Sequence, residues 1–150
     1  MKPFIVLVSV FFFSFFSIKI GYGKYDLPLA GRIAMSAMLL FTATAHFAFT
    51  KGMAMMIPGF IPFKLELVYL TGIIEILAAI GLLIPGLRVV TAWLLMLFFG
   101  IILSANINAA LQNIDYQKGT HSGKGPKYLW FRIPLQILFI VWTYVSAIRY

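Results

Sequence analysis

The sequence predicts an all-α membrane protein of about five spans: a four-helix transmembrane core preceded by an N-terminal hydrophobic helix. Three observations predict it. Of 150 residues, 62% are hydrophobic and only 11% charged, with a mean hydropathy of +0.98, values outside the range of soluble domains. The apolar residues fall into runs of about 20, the length that crosses a hydrocarbon core of about 30 Å. The net charge of +8 is scattered between those runs, as in membrane loops, so nucleic-acid binding is not expected. Cysteine is absent, which excludes disulfides, thiolate metal sites and a dithiol relay within this chain.

Residues 1–23 form the first unit. Phe4 to Ile18 is apolar behind Lys2, and Gly21 and Gly23 could precede a cleavage site, so a leader and a retained signal-anchor helix compete. The bulky run Phe11–Phe16 exceeds what a leader needs and favours the retained helix. Residues 24–150 form the second unit. Its first span is Gly31–Thr50, with His46 near the far end and Thr42 and Thr50 on the same face. Lys51–Lys64 holds two Pro and two Gly, which predicts an irregular apolar segment at the membrane surface, with Pro58, Phe60 and Pro62 as a lid.

Leu65–Pro85 is the next span and carries Glu75 near its middle. A carboxylate at that depth is costly unless protonated, paired or hydrated. Thr71, Gly72, Ala78 and Ala79 give it a small-residue face for helix approach, and Leu and Ile form the opposite face. Val89–Leu111 follows, with Asn106 and Asn108 two positions apart, so that at most one faces Glu75. Gln112–Tyr128 is the one polar loop and predicts a mobile excursion. Leu129–Ile148 closes the chain, with Arg132 and Gln136 one turn apart and Trp130 and Tyr150 as interfacial anchors.

Let side A hold the 51–64 and 112–128 loops. Counting about 1.5 Å per residue, His46 lies about 6 Å and Asn106 about 8 Å inside side A, with Gln136 similar, Arg132 shallower and Glu75 deepest at about 12–15 Å. Four helices thus place polar residues in one half of the bilayer, while the other half offers little beyond Thr91 and Thr143. A polar pocket opening to side A follows, with Glu75, His46, Asn106, Arg132 and Gln136 as candidate ligand-binding residues. Each also has a purely structural reading: a protonated Glu75 bonded to a carbonyl or Asn106, an interfacial His46, an Arg132 reaching headgroup phosphates. Basic residues divide almost evenly between the two sides, so orientation stays open.

Five motifs, AHF at 45–47, PGFIP at 58–62, YLTGIIEILAAIGLLIP at 69–85, SANI at 104–107 and RIPLQ at 132–136, resemble the DoxX-like family of small bacterial integral membrane proteins. The resemblance covers about Gly31 to Ile148. It implies a bacterial cytoplasmic (inner) membrane location, a four-helix core and shared polar positions at Glu75, His46, Asn106 and Arg132. It also implies association, in some relatives, with quinone-linked sulfur oxidation or redox complexes.

Three functions are in competition. The first is a redox-associated subunit that binds a quinone-like or lipid-like molecule and works with another membrane or redox protein, without being an enzyme by itself. The second is a non-enzymatic assembly or chaperone-like module docking through the polar loop. The third is a small proton or solute pathway, disfavoured by the lack of repeats or paired broken helices. Haem is disfavoured because one intramembrane His supplies one axial ligand. No cluster with metal-ligand spacing occurs, and no hydrolase or phosphate-loop motif is present.

Overall fold

A computed structural model describes residues 1–150 as an all-helical chain without strands. α1 (Lys2–Tyr22) starts with Pro3 in its first turn and stops at Gly23, whose φ of 68° returns its N–H to the Lys19 carbonyl. Asp26 then caps α2 (Leu27–Ala48), accepting a 2.8 Å hydrogen bond from the Leu29 N–H, and Pro28 occupies the first turn. Phe49 breaks the helix and α3 (Thr50–Met56) follows at once.

α3 corrects the expectation that Gly and Pro exclude a helix from 51–64. Pro58, Gly59 and Pro62 all lie beyond its end, where Ile57 turns extended ahead of Pro58. Gly52 sits inside it for a packing reason: a Cβ there would collide with the Tyr116 carbonyl oxygen. α4 (Lys64–Gly81) carries Glu75 and ends four residues short of Pro85, in turns closed by Leu83 N–H to Ile80 O and Ile84 N–H to Gly81 O. α5 (Arg88–Leu111) leads to the polar loop, and a short 3₁₀ turn, Gly125–Tyr128, opens α6 (Leu129–Tyr144). α6 finishes in a π-helical turn, Val145–Arg149.

Four segments are long and apolar enough to cross a membrane: Lys2–Tyr22, Leu27–Ala48, Arg88–Leu111 and Gly125–Arg149. α4 is not among them, since its 18 residues include Lys64, Glu66 and Glu75. Its outward side chains, Leu70, Ile73, Leu77 and Ile80, are nonetheless exposed and apolar, as the small-and-large division of its faces predicts.

α2 is the central helix, packing on α1, α4 and the end of α6, while α5 packs chiefly on α6. One core joins them, with Leu7 of α1, Met35, Met38 and Leu39 of α2, Ala79 of α4, Phe99 of α5 and Phe139 of α6 among its members. Phe11 of α1 meets Trp142 of α6 edge-on at 5.1 Å between ring centres. Glycines set the closest helix approaches. A Cβ on Gly72 would lie 2.9 Å from the His46 Cβ, and one on Gly31 would lie 2.8 Å from the Ser146 Cβ.

The loop at 112–128 is tied down, which corrects the expectation of a free excursion. Asp115 accepts from the N–H groups of Gln117 and Lys118, its own N–H bonds Thr120 O, and Tyr116 packs edge-on against Phe49. Asn108 adds a tie from α5 to α3, donating to the Met56 carbonyl at 2.8 Å.

Candidate functional site

The last two turns of α2, the middle of α4, the end of α5 and the start of α6 enclose a cavity of about 630 Å³. This is within the range of about 300–1,000 Å³ typical of small-molecule sites. All five candidate residues, Glu75, His46, Asn106, Arg132 and Gln136, line it. Apolar walls come from Met38, Phe41, Phe99, Ile102 and Phe139.

His46 and Glu75 meet because Gly72 lets α4 close on α2. The imidazole Nε2 lies 3.5 Å from Glu75 Oε1, longer than a hydrogen bond and within ion-pair range. The other ring nitrogen sits between two oxygens. His46 Nδ1 is 2.9 Å from the Thr71 hydroxyl oxygen and 3.2 Å from the Val68 carbonyl oxygen. The Thr71 hydroxyl is also 2.8 Å from Val68 O, so a proton on Nδ1 would meet two oxygens able to accept it. A bare Nε2 facing a bare carboxylate would be two acceptors in opposition. A proton on either Nε2 or Glu75 Oε1 removes that conflict.

Glu75 Oε2 is 2.8 Å from the Thr42 hydroxyl, which also lies 3.0 Å from Leu39 O. Glu75 is thus tied to Thr42 and His46, whereas Asn106 donates to Ile102 O of its own helix at 3.2 Å. The facing wall is less settled. Gln136 is 1% exposed and donates its amide to Phe99 O at 2.8 Å, which leaves Oε1 buried without a partner. One turn earlier, Arg132 Nε is also buried without a partner. Unpartnered buried polar atoms are rare in native structures and call for an explanation.

The roof differs from the expected one. Pro58, Phe60 and Pro62 do not line the cavity, and Phe60 is 86% exposed. The Pro residues end α3 and carry the chain outward, so the wall falls to Met53, Met56 and Ile57, with Tyr116 and Tyr128 from the loop and Met1, Lys2 and Pro3 from the start of α1. Burial pushes the Tyr116 phenol above its usual range, with Tyr128 reinforcing the shift.

Thr42 and Thr71 carry the site's second contacts, and their spacing from His46 and Glu75 on the same helix faces was the available signal. Tyr116 gave none, because an aromatic in a polar loop does not reveal where the loop folds. Nowhere do three or more His, Asp or Glu side chains gather as a metal site would require.

No curated protein and no solved structure matches the chain. A family model does match, over residues 35–147, a range that contains all five candidate residues and leaves α1 outside. The chain belongs to the family described as a domain of unknown function (DUF8561).

Proposed function

We propose that this is a multi-pass protein of the bacterial cytoplasmic membrane, with α4 as a fifth span, that holds a quinone-like or lipid-like amphipathic molecule in its cavity. The supporting observation is the His46–Glu75 pair, a base and an acid 3.5 Å apart, both buried, on the wall of a mostly apolar cavity. A quinone carbonyl needs a proton donor beside it, and reduction to the quinol takes up two electrons and two protons. The pair can pass one proton to the ligand and be recharged from side A. The electrons come from a redox partner, because the chain has no cysteine and the pair itself carries none. The protein is then a binding and proton-exchange subunit and not an enzyme by itself. The resemblance to DoxX-like proteins agrees with this reading.

The test is an organic extract of detergent-purified protein, read by ultraviolet spectroscopy and mass spectrometry. A quinone or lipid near one per chain is expected in the wild type, reduced in His46→Ala and Glu75→Gln. A wild-type extract without any bound amphiphile, and no uptake of added decylubiquinone or palmitate, overturns the proposal.

A further inference from the structure

The charges and unpartnered polar atoms around the cavity narrow the class of ligand, on the reading proposed above that the cavity is an amphiphile site. The chain has four acidic side chains, Asp26, Glu66, Glu75 and Asp115. Asp26 caps α2 and Asp115 holds the loop turn. Glu75 faces the Thr42 hydroxyl at 2.8 Å and His46 Nε2 at 3.5 Å. No carboxylate lies within ion-pair distance of Arg132. The lining therefore includes two cations without a carboxylate in ion-pair range, the half-buried Arg132 and the exposed Lys2, among mostly apolar walls. Arg132 as a whole is half-buried, but its Nε is buried without a partner, and a buried donor left unpaired is costly. The buried, unpartnered Gln136 Oε1 lies one turn along the same face and adds an unused acceptor.

We infer that the cavity binds an amphiphile with an anionic, protonatable head group, a carboxylate or a phosphate, seated on Arg132. Guanidinium forks match both groups with two parallel hydrogen bonds. Gln136 Oε1 accepts from a hydroxyl or acid proton of the same head, and the tail lies against Met38, Phe99 and Phe139. The carboxylate of a free fatty acid and the phosphate of a lipid headgroup share this chemistry.

Native mass spectrometry of the full chain in neutral detergent tests it, with palmitate, 1-palmitoyl-lysophosphatidylglycerol, hexadecanol and decylubiquinone as probes. One acidic probe bound per chain, at least about tenfold tighter than hexadecanol, is expected. Arg132→Gln should abolish that preference, Arg132→Lys should retain part of it, and Lys127→Glu, outside the cavity, should leave it unchanged. The stronger of palmitate and the lysolipid names the source. Decylubiquinone binding with no preference for acidic over neutral tails overturns this inference and leaves the proposed function standing. Failure of all four probes overturns both. A guanidinium that merely touches bulk headgroups would give no stoichiometric adduct, which also overturns the inference. Should Arg132→Gln not fold, the wild-type preference and the Arg132→Lys variant still decide.

Discussion

The two ends of the helix bundle use polar side chains in opposite ways. At the end away from the loops, five polar side chains donate to backbone carbonyls. Ser36 donates to Ala79 O at 2.8 Å, Thr143 to Phe139 O at 2.8 Å, Ser146 to Trp142 O at 2.7 Å, the Trp142 indole to Gly31 O at 3.0 Å, and Arg32 to Ser146 O at 3.0 Å. Arg32 and Trp142 thereby stitch α2 to the π-turn that ends α6. At the loop end, the acid and the base face each other across 3.5 Å, and Arg132 Nε and Gln136 Oε1 are left over. Self-satisfied polar groups bind helices together; left-over ones are available to something else. The contrast separates packing from binding more sharply than depth alone does.

The largest effect expected from breaking this contrast is at Gly72. Gly72→Val drives a side chain into His46, and forcing extra methyl groups into packed helices costs about 1–3 kcal/mol. Thermal melting in detergent should fall clearly, and ligand retention should be lost with it. Next, Ser36→Ala removes a buried hydrogen bond at the self-satisfied end, worth about 0.5–1.5 kcal/mol, and should lower the melting temperature while leaving ligand retention intact. Gln136→Leu should do the reverse. It gives up the bond to Phe99 O but also removes the orphaned oxygen, so stability should change by under about 1 kcal/mol while retention of the acidic probes falls several-fold. If Ser36→Ala and Gln136→Leu alter stability and retention in parallel, the division between the two ends is wrong.

The smallest effect is at alkaline pH. Burial holds the Tyr116 phenol protonated above its unfolded value of about 10, so the folded state binds more protons there and stability must fall as pH rises past about 10. Tyr116→Phe should flatten this fall, and the slow-rising part of the phenolate absorbance near 295 nm should disappear with it.

The helices were legible because apolar runs of membrane length have few alternatives, and the cavity residues because Glu75, His46, Asn106, Arg132 and Gln136 interrupt four runs at comparable distances from the loops. What escaped had a shared cause: it depends on which backbone meets which. Gly52 reads as a helix breaker until the Tyr116 backbone is known to lie against it. The Pro58–Pro62 stretch reads as a lid until α3 is known to have taken the place beside the cavity. Ser36, Ser146 and Arg32 were overlooked at the far end because a hydroxyl bonded to a carbonyl leaves no mark in hydropathy, and Arg32 sits at a boundary where charge is ordinary. Thr42 and Thr71 are legible as neighbours of His46 and Glu75 by helical spacing, but which atoms they bond depends on how α2 packs on α4.

The Thr42 hydroxyl has a single proton and two oxygens within reach, Glu75 Oε2 and Leu39 O. When Glu75 is a carboxylate, the hydroxyl can donate to it. When Glu75 holds a proton on Oε2, the acid can donate to Thr42, and Thr42 can turn its own hydrogen to Leu39 O. Either charge state is solvated by the same heavy atoms in the same places, so a proton can arrive or leave with little rearrangement of the surrounding helices. Turning one O–H bond is far faster than the microsecond-to-millisecond motions of helices, so the acid can change its hydrogen-bond partner without waiting for the bundle to move.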